Sequence, residues 1–439
     1  MKRSYLLLVI LLSVCDLKAQ TIQVSLSRLA GEEYSWVLYS GSKLDTIQKG
    51  SLDASGKTKL VLPKSQVGYD GMSSLRFKKN NATLDFIVND ENFSISSSAE
   101  ELSPGNVTFK GSAENNFLVE HYKVQQTIAT KLKLLEGLHE MYKSGEAFYT
   151  PISEELKKVK QIKQQQNAVI QKSPLYAARF LKLLNYYGEL AAYWQKSPAE
   201  LDQLRSNAIK NFDTDMYNSP LWKPAFEYWF TIYHDGLKSE SLFVTDAVKM
   251  LQNQNHTPIL NELGNNMVDM CEKNGWDNAK MQIAFAIQRS GRLLQPSGNL
   301  ARLMGAFAAV PGNIAPNIDL GNGTKLSDLS ASQYIVLFYE TGCSHCDNEI
   351  AWLKEHYQQL HEKGVQIISI ASDTDKKIAQ TNLDIFPWRE KLCDLKGFEG
   401  ENFKTYGVIG TPAIFVLDSN KKITGKYGKF SEAKELELQ

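Results

Sequence analysis

Tyr334-Ile335-Val336-Leu337-Phe338-Tyr339-Glu340-Thr341-Gly342-Cys343-Ser344-His345-Cys346 is the stretch that decides how the C-terminal part of this chain folds. An unbroken apolar run of this length reads as a strand. A Cys-x-x-Cys pair follows and opens a helix expected over 343–362. At a helix N-terminus, free N–H groups and the positive end of the dipole favour a thiolate over a thiol. The two-residue gap lets both sulfurs meet within one turn. A disulfide there forms and breaks with little backbone movement. The pair is expected to be redox-active, with a plain local disulfide as the alternative.

Within this arrangement Cys343 is the expected attacking sulfur, and Cys346, one turn in, is expected to resolve the mixed disulfide. His345 either stabilises the Cys343 thiolate or points to solvent. Glu349 is a candidate proton carrier for Cys346, and Glu340 is a second; each is otherwise a solvated acid. Further along, Gly410-Thr411-Pro412 precedes the apolar run Ala413–Leu417. A cis proline there would leave a backbone edge facing Cys343, with Gly410 and Thr411 beside a bound peptide. An ordinary trans proline at the first residue of a strand is the alternative. Cys271 and Cys393 stand alone and read as small buried side chains, Cys393 also as a possible third redox thiol. No cofactor is expected beyond a Cys343–Cys346 disulfide.

From 311 to 439 the order of elements is strand, helix, strand, helix, strand, strand. With Val336–Tyr339, Cys343-Ser344-His345-Cys346, Glu349 and Tyr406–Asp418, this region resembles the thioredoxin superfamily. It is most similar to the exported thiol–disulfide oxidoreductases related to cytochrome-maturation thioredoxins. The resemblance implies redox roles for Cys343 and Cys346, a cis Pro412 and an active-site Glu349. It also implies protein thiols and disulfides as partners, with an upstream membrane or periplasmic electron donor. Two positions depart from the pattern. Gly342 replaces the usual Trp, and His345 replaces the usual Pro, as in strongly oxidising periplasmic relatives. Both directions of electron flow therefore stay open.

The remainder is expected to make a multidomain chain. Residues 21–110 alternate and are punctuated by Gly, Asn, Asp and Ser, as in an all-β sandwich. Residues 111–307 carry helical periodicity, as an all-α middle region. Ser197-Pro198 and Ser173-Pro174 each have the form of an N-cap followed by proline. The aromatics Trp222, Phe226, Tyr228, Trp229, Phe230 and Tyr233 read as core at helical spacing. The α/β thioredoxin fold then occupies 311–439. The layout resembles multidomain exported thioredoxin-like proteins of the Bacteroidota.

With 439 residues, 43% hydrophobic, and Lys+Arg equal to Asp+Glu at 49 each, there is no electrostatic case for nucleic acid. The sequence sets no oligomeric state. Lys2 and Arg3 before the apolar run Tyr5–Val14 read as an export signal over 1–19, with cleavage after Ala19. Lipidation at Cys15 and an uncleaved anchor are the alternatives. Either alternative would tether the protein to the membrane facing the periplasm. The same residues admit three rival functions. A peroxidase wants Thr and Pro where Glu340 and Val336 stand. Copper delivery would use Cys343, Cys346 and His345 as soft ligands. A binding scaffold would carry the thioredoxin unit as an accessory.

Overall fold

In this computed structural model the described residues are 20–78, 81–321, 323–433 and 436. The expected signal over 1–19 and Cys15 lie outside them. The chain forms two compact units, Met1–Ile232 and Tyr233–Gln439.

The first unit begins with eight strands: β1 Thr21–Leu26, β2 Glu33–Ser40, β3 Lys43–Ser51, β4 Lys57–Val61, β5 Gly71–Phe77, β6 Thr83–Val88, β7 Phe93–Ser97 and β8 Thr108–Lys110. They make two four-stranded sheets, ordered β4-β1-β7-β8 and β3-β2-β5-β6. Alternation along β1 sends Ile22, Val24 and Leu26 inward, and they meet Trp36, Leu38, Leu75 and Phe86 of the other sheet in one core. This is the expected sandwich.

Helices α1 Ala113–Met141, α2 Tyr149–Lys172, α3 Tyr176–Ala191, α4 Pro198–Asn211, α5 Thr214–Tyr217 and α6 Trp222–Thr231 follow. Ser197 and Glu200 form a complete capping box at α4. The expected cap at Ser173 is not formed. α3 starts at Tyr176, and the Glu114 carboxylate of α1 accepts the N–H groups of Tyr176 (3.1 Å) and Ala177 (2.7 Å). A long-range anion at the helix N-terminus thus replaces the local hydroxyl. Trp222, Phe226 and Trp229 pack around Phe212 as core, whereas Tyr228 is part-exposed.

The second unit opens with α7 Glu240–Asn253, α8 Thr257–Lys273, α9 Asp277–Ser290 and α10 Gly298–Ala308. Residues 111–307, expected as one helical region, therefore distribute over both units. The α/β part follows: β9 Gln333–Tyr339, α11 Ser344–Glu362, β10 Val365–Ala371, α12 Lys376–Ile385, β11 Glu390–Leu392, α13 Glu401–Thr405, β12 Ala413–Asp418 and β13 Ile423–Tyr427. The sheet order is β11-β10-β9-β12-β13, with β9, β10 and β11 parallel and β12 and β13 antiparallel. Strand β9 is central and covered on both faces. Ile335, Leu337 and Tyr339 face Cys346 and Leu353 of α11; Tyr334, Val336 and Phe338 face Phe403 and Tyr406. That is why its sequence runs apolar without alternation.

Candidate active site: two thiols at the start of a helix

Beyond β9 the chain turns at Gly342, whose φ of +77° suits a residue without Cβ. The turn delivers Cys343 to the N-cap of α11. Cys343 is part-exposed and Cys346 is fully buried, and both are free thiols. Hydrogen bonds from the backbone N–H and thiol of Cys346, then the backbone N–H of His345, hold the Cys343 thiol below its usual value, against desolvation and the Glu340 carboxylate. These N–H groups have no partner within the helix, so they are available to a thiolate. Burial pushes Cys346 up to about 11. The N–H of Glu340, 3.5 Å from Cys346 Sγ, and the Thr411 hydroxyl partly offset this, while Cys343 raises it further. The site therefore pairs an accessible sulfur that ionises easily with a buried sulfur that keeps its proton.

The other expected residues fall at different distances from this chemistry. His345 is exposed, and its donation to Cys343 comes from its backbone N–H. The Glu340 side chain is exposed at the mouth of the site. Glu349 lies on α11 past Cys346, but its Oε2 accepts the N–H of Phe430 at 2.7 Å, so its carboxylate anchors the segment after β13. Phe430 in turn stacks on Trp352 of α11 at 4.6 Å. The Thr411–Pro412 bond is cis. Gly410 is exposed, and Thr411 reaches Cys346.

Sequence reasoning missed a polar cluster at the same end of the sheet. Thr341 Oγ1 donates to Asp373 Oδ2 at 2.8 Å, and Cys393 Sγ lies 3.3 Å from the Asp373 carbonyl. Burial raises the Cys393 thiol. Thr341, Asp373 and Cys393 follow β9, β10 and β11 respectively, so the only available signal was their common place past the carboxyl ends of parallel strands. Tyr339 is 1% exposed, and its hydroxyl has no hydrogen-bond partner among the described residues. Cys271 lies inside α8, fully buried and pushed up to about 12, as suits a core residue. Among the described residues no group of three or more His, Cys, Asp or Glu side chains is arranged to hold a metal ion. Nor is any helix among them long and apolar enough to cross a membrane.

Comparison with known proteins agrees with this geometry. The AhpC/TSA family matches residues 311–426. The thiol-disulfide oxidoreductase ResA of Bacillus thuringiensis subsp. konkukian is 32% identical over 116 residues, which are 26% of this chain and 66% of that relative. The chain thus spans just under two thirds of the length of this curated relative. Among solved structures, the thioredoxin domain of a thiol-disulfide oxidoreductase from Bacteroides vulgatus is 24% identical with a TM-score of 0.26; the likeness covers 29% of this chain and 96% of that one. A thioredoxin-like protein from Bacteroides caccae is 20% identical with a TM-score of 0.27, over 53% of this chain and 91% of that one. Over residues 311–426 this chain is thus similar to the AhpC/TSA family and to thioredoxin-like thiol-disulfide oxidoreductases.

Proposed function

We propose that this chain is an exported thiol–disulfide oxidoreductase acting on protein thiols and disulfides. The observation that carries the reading is the division of labour between the sulfurs: Cys343 part-exposed and held low, Cys346 buried and held high. In the reducing direction the Cys343 thiolate attacks one sulfur of a substrate disulfide. The S–S bond breaks, and the departing substrate thiolate takes a proton. Cys346 then loses its proton and attacks Cys343 Sγ, which releases the second substrate thiol. Two electrons have passed to the substrate, and the enzyme holds a Cys343–Cys346 disulfide. An external dithiol, supplied in the cell by a membrane or periplasmic donor, restores the reduced pair. The oxidising direction is the reverse sequence. Export is supported by the charged and apolar leader over 1–19.

The test is dithiothreitol-driven reduction of insulin by the full chain, with Cys343→Ser as control. Turnover is expected in the first and none in the second; equal turnover would overturn the assignment. Equilibration with glutathione buffers fixes the direction. A potential near roughly −120 mV marks an oxidant and one near roughly −270 mV a reductant.

A further inference from the structure

Helix α10 meets the redox fold backbone against backbone. A Cβ added at Gly305 would lie 2.2 Å from the Lys404 carbonyl oxygen and 2.5 Å from that of Thr405. Gly407, at φ +61°, faces back: a Cβ there would lie 2.2 Å from the Ala306 nitrogen. Neither residue can carry a side chain without parting the two segments. The contact is pinned at its flank, where Glu399 accepts from Arg302 of α10 and pairs with Lys404 at 3.0 Å. It is pinned again past the end of α10, where Asn313 Nδ2 donates to the Ala308 carbonyl at 3.2 Å and the Asn313 carbonyl accepts from Ile423 of β13 at 2.8 Å. From Gly407 only Val408, Ile409 and Gly410 intervene before Thr411. Val408 is buried, with its N–H on the Phe403 carbonyl at 2.9 Å. Three intervening residues leave at most roughly 14 Å of chain between the seat and Thr411.

We propose that α10 is a positioning element of the redox site: its glycine seat on Lys404–Gly407 fixes the connector that holds the Thr411 hydroxyl against Cys346 Sγ. Gly305 and Gly407 are positioning residues, acting on the sulfur through Thr411. The kinetic consequence rests on the oxidoreductase reading. The effect on Cys346 ionisation does not.

The test uses the full chain carrying Gly305→Ala. Alanine is the better helix former, so the substitution strengthens α10 itself and its harm reports the seat. Gly137→Ala in α1, with open space around it, is the control. Folding is checked by circular dichroism and melting. Cys346 ionisation is read from its alkylation rate against pH, mapped by mass. Loss of one hydrogen bond to the thiolate should raise that ionisation by roughly 0.5–1 unit. Resolution of a preformed Cys343 mixed disulfide should slow by roughly three- to tenfold. Thr411→Val should give the same shift, and the double variant no more than the larger single effect. A folded Gly305→Ala protein with unchanged ionisation, or additivity with Thr411→Val, overturns the proposal. If Gly305→Ala does not fold, Arg302→Ala, which adds no bulk, must give a smaller shift of the same sign, and no shift overturns it. A shifted ionisation in a chain that reduces no disulfide supports α10's role while removing the oxidoreductase reading.

Discussion

Fully reduced protein treated with iodoacetamide should lose Cys343 long before Cys346. Cys343 ionises below the ordinary 9.0, and Cys346 is pushed up to about 11. The gap is at least about two units, so below both values the thiolate fractions differ by at least ~100-fold. The more basic thiolate is intrinsically the better nucleophile, which returns roughly a factor of ten. Ionisation alone therefore favours Cys343 by about tenfold or more, and the complete burial of Cys346 adds to this. The assay is alkylation at several pH values from 6 to 10, quenched with acid and mapped by peptide mass. The Cys343 rate should level off once pH passes its own ionisation, while the Cys346 rate climbs about tenfold per unit throughout. Equal rates in folded protein, or a Cys346 rate that levels off first, would refute the reasoning.

Two further predictions concern neighbouring side chains. Glu349→Ala should cost about 1–2 kcal/mol in chemical denaturation, because it leaves the Phe430 N–H without its acceptor; Glu349→Gln, whose amide oxygen can still accept, should cost less. Equal stability of all three proteins would remove the anchoring role. Tyr339→Phe removes a buried hydroxyl that has no partner among the described residues, so stability should stay level or rise by up to about 1 kcal/mol. A loss above that size, by the same denaturation, would mean that the hydroxyl is satisfied.

The C-terminal fold was legible because its signals are local. The apolar run of β9 marks a central strand, and the Cys-x-x-Cys pair marks the helix start. In the sandwich, β1, β4, β6 and β7 alternate visibly in sequence, whereas β2, β3 and β5 do not. β3 is a mostly exposed edge strand of Lys, Asp, Thr and Gln, with no apolar face to betray it. Its only cue was the two-residue turn Gly41-Ser42, with Gly41 at φ +61°. β5 carries Ser73 and Ser74 fully indoors, Ser73 bonded to the Phe86 carbonyl, and so breaks the alternation rule. Within the site, the sulfurs were legible and their surroundings were not. The Glu349 contact with Phe430 joins residues far apart in sequence. The α10 seat is made by glycines, which leave no apolar pattern to read. Asp373 and Thr341 meet only because parallel strands bring their ends together.

In the proposed exchange Cys343 is the attacking sulfur and Cys346 the resolving one. Mixing the reduced Cys346→Ser protein with a disulfide-bonded peptide, and separating the products without reductant, distinguishes these roles. A one-to-one mixed disulfide at Cys343 should accumulate, stable until dithiothreitol is added, because the internal attack that releases the peptide is gone. A peptide trapped by Cys343→Ser through Cys346, with none trapped by Cys346→Ser, would contradict the account.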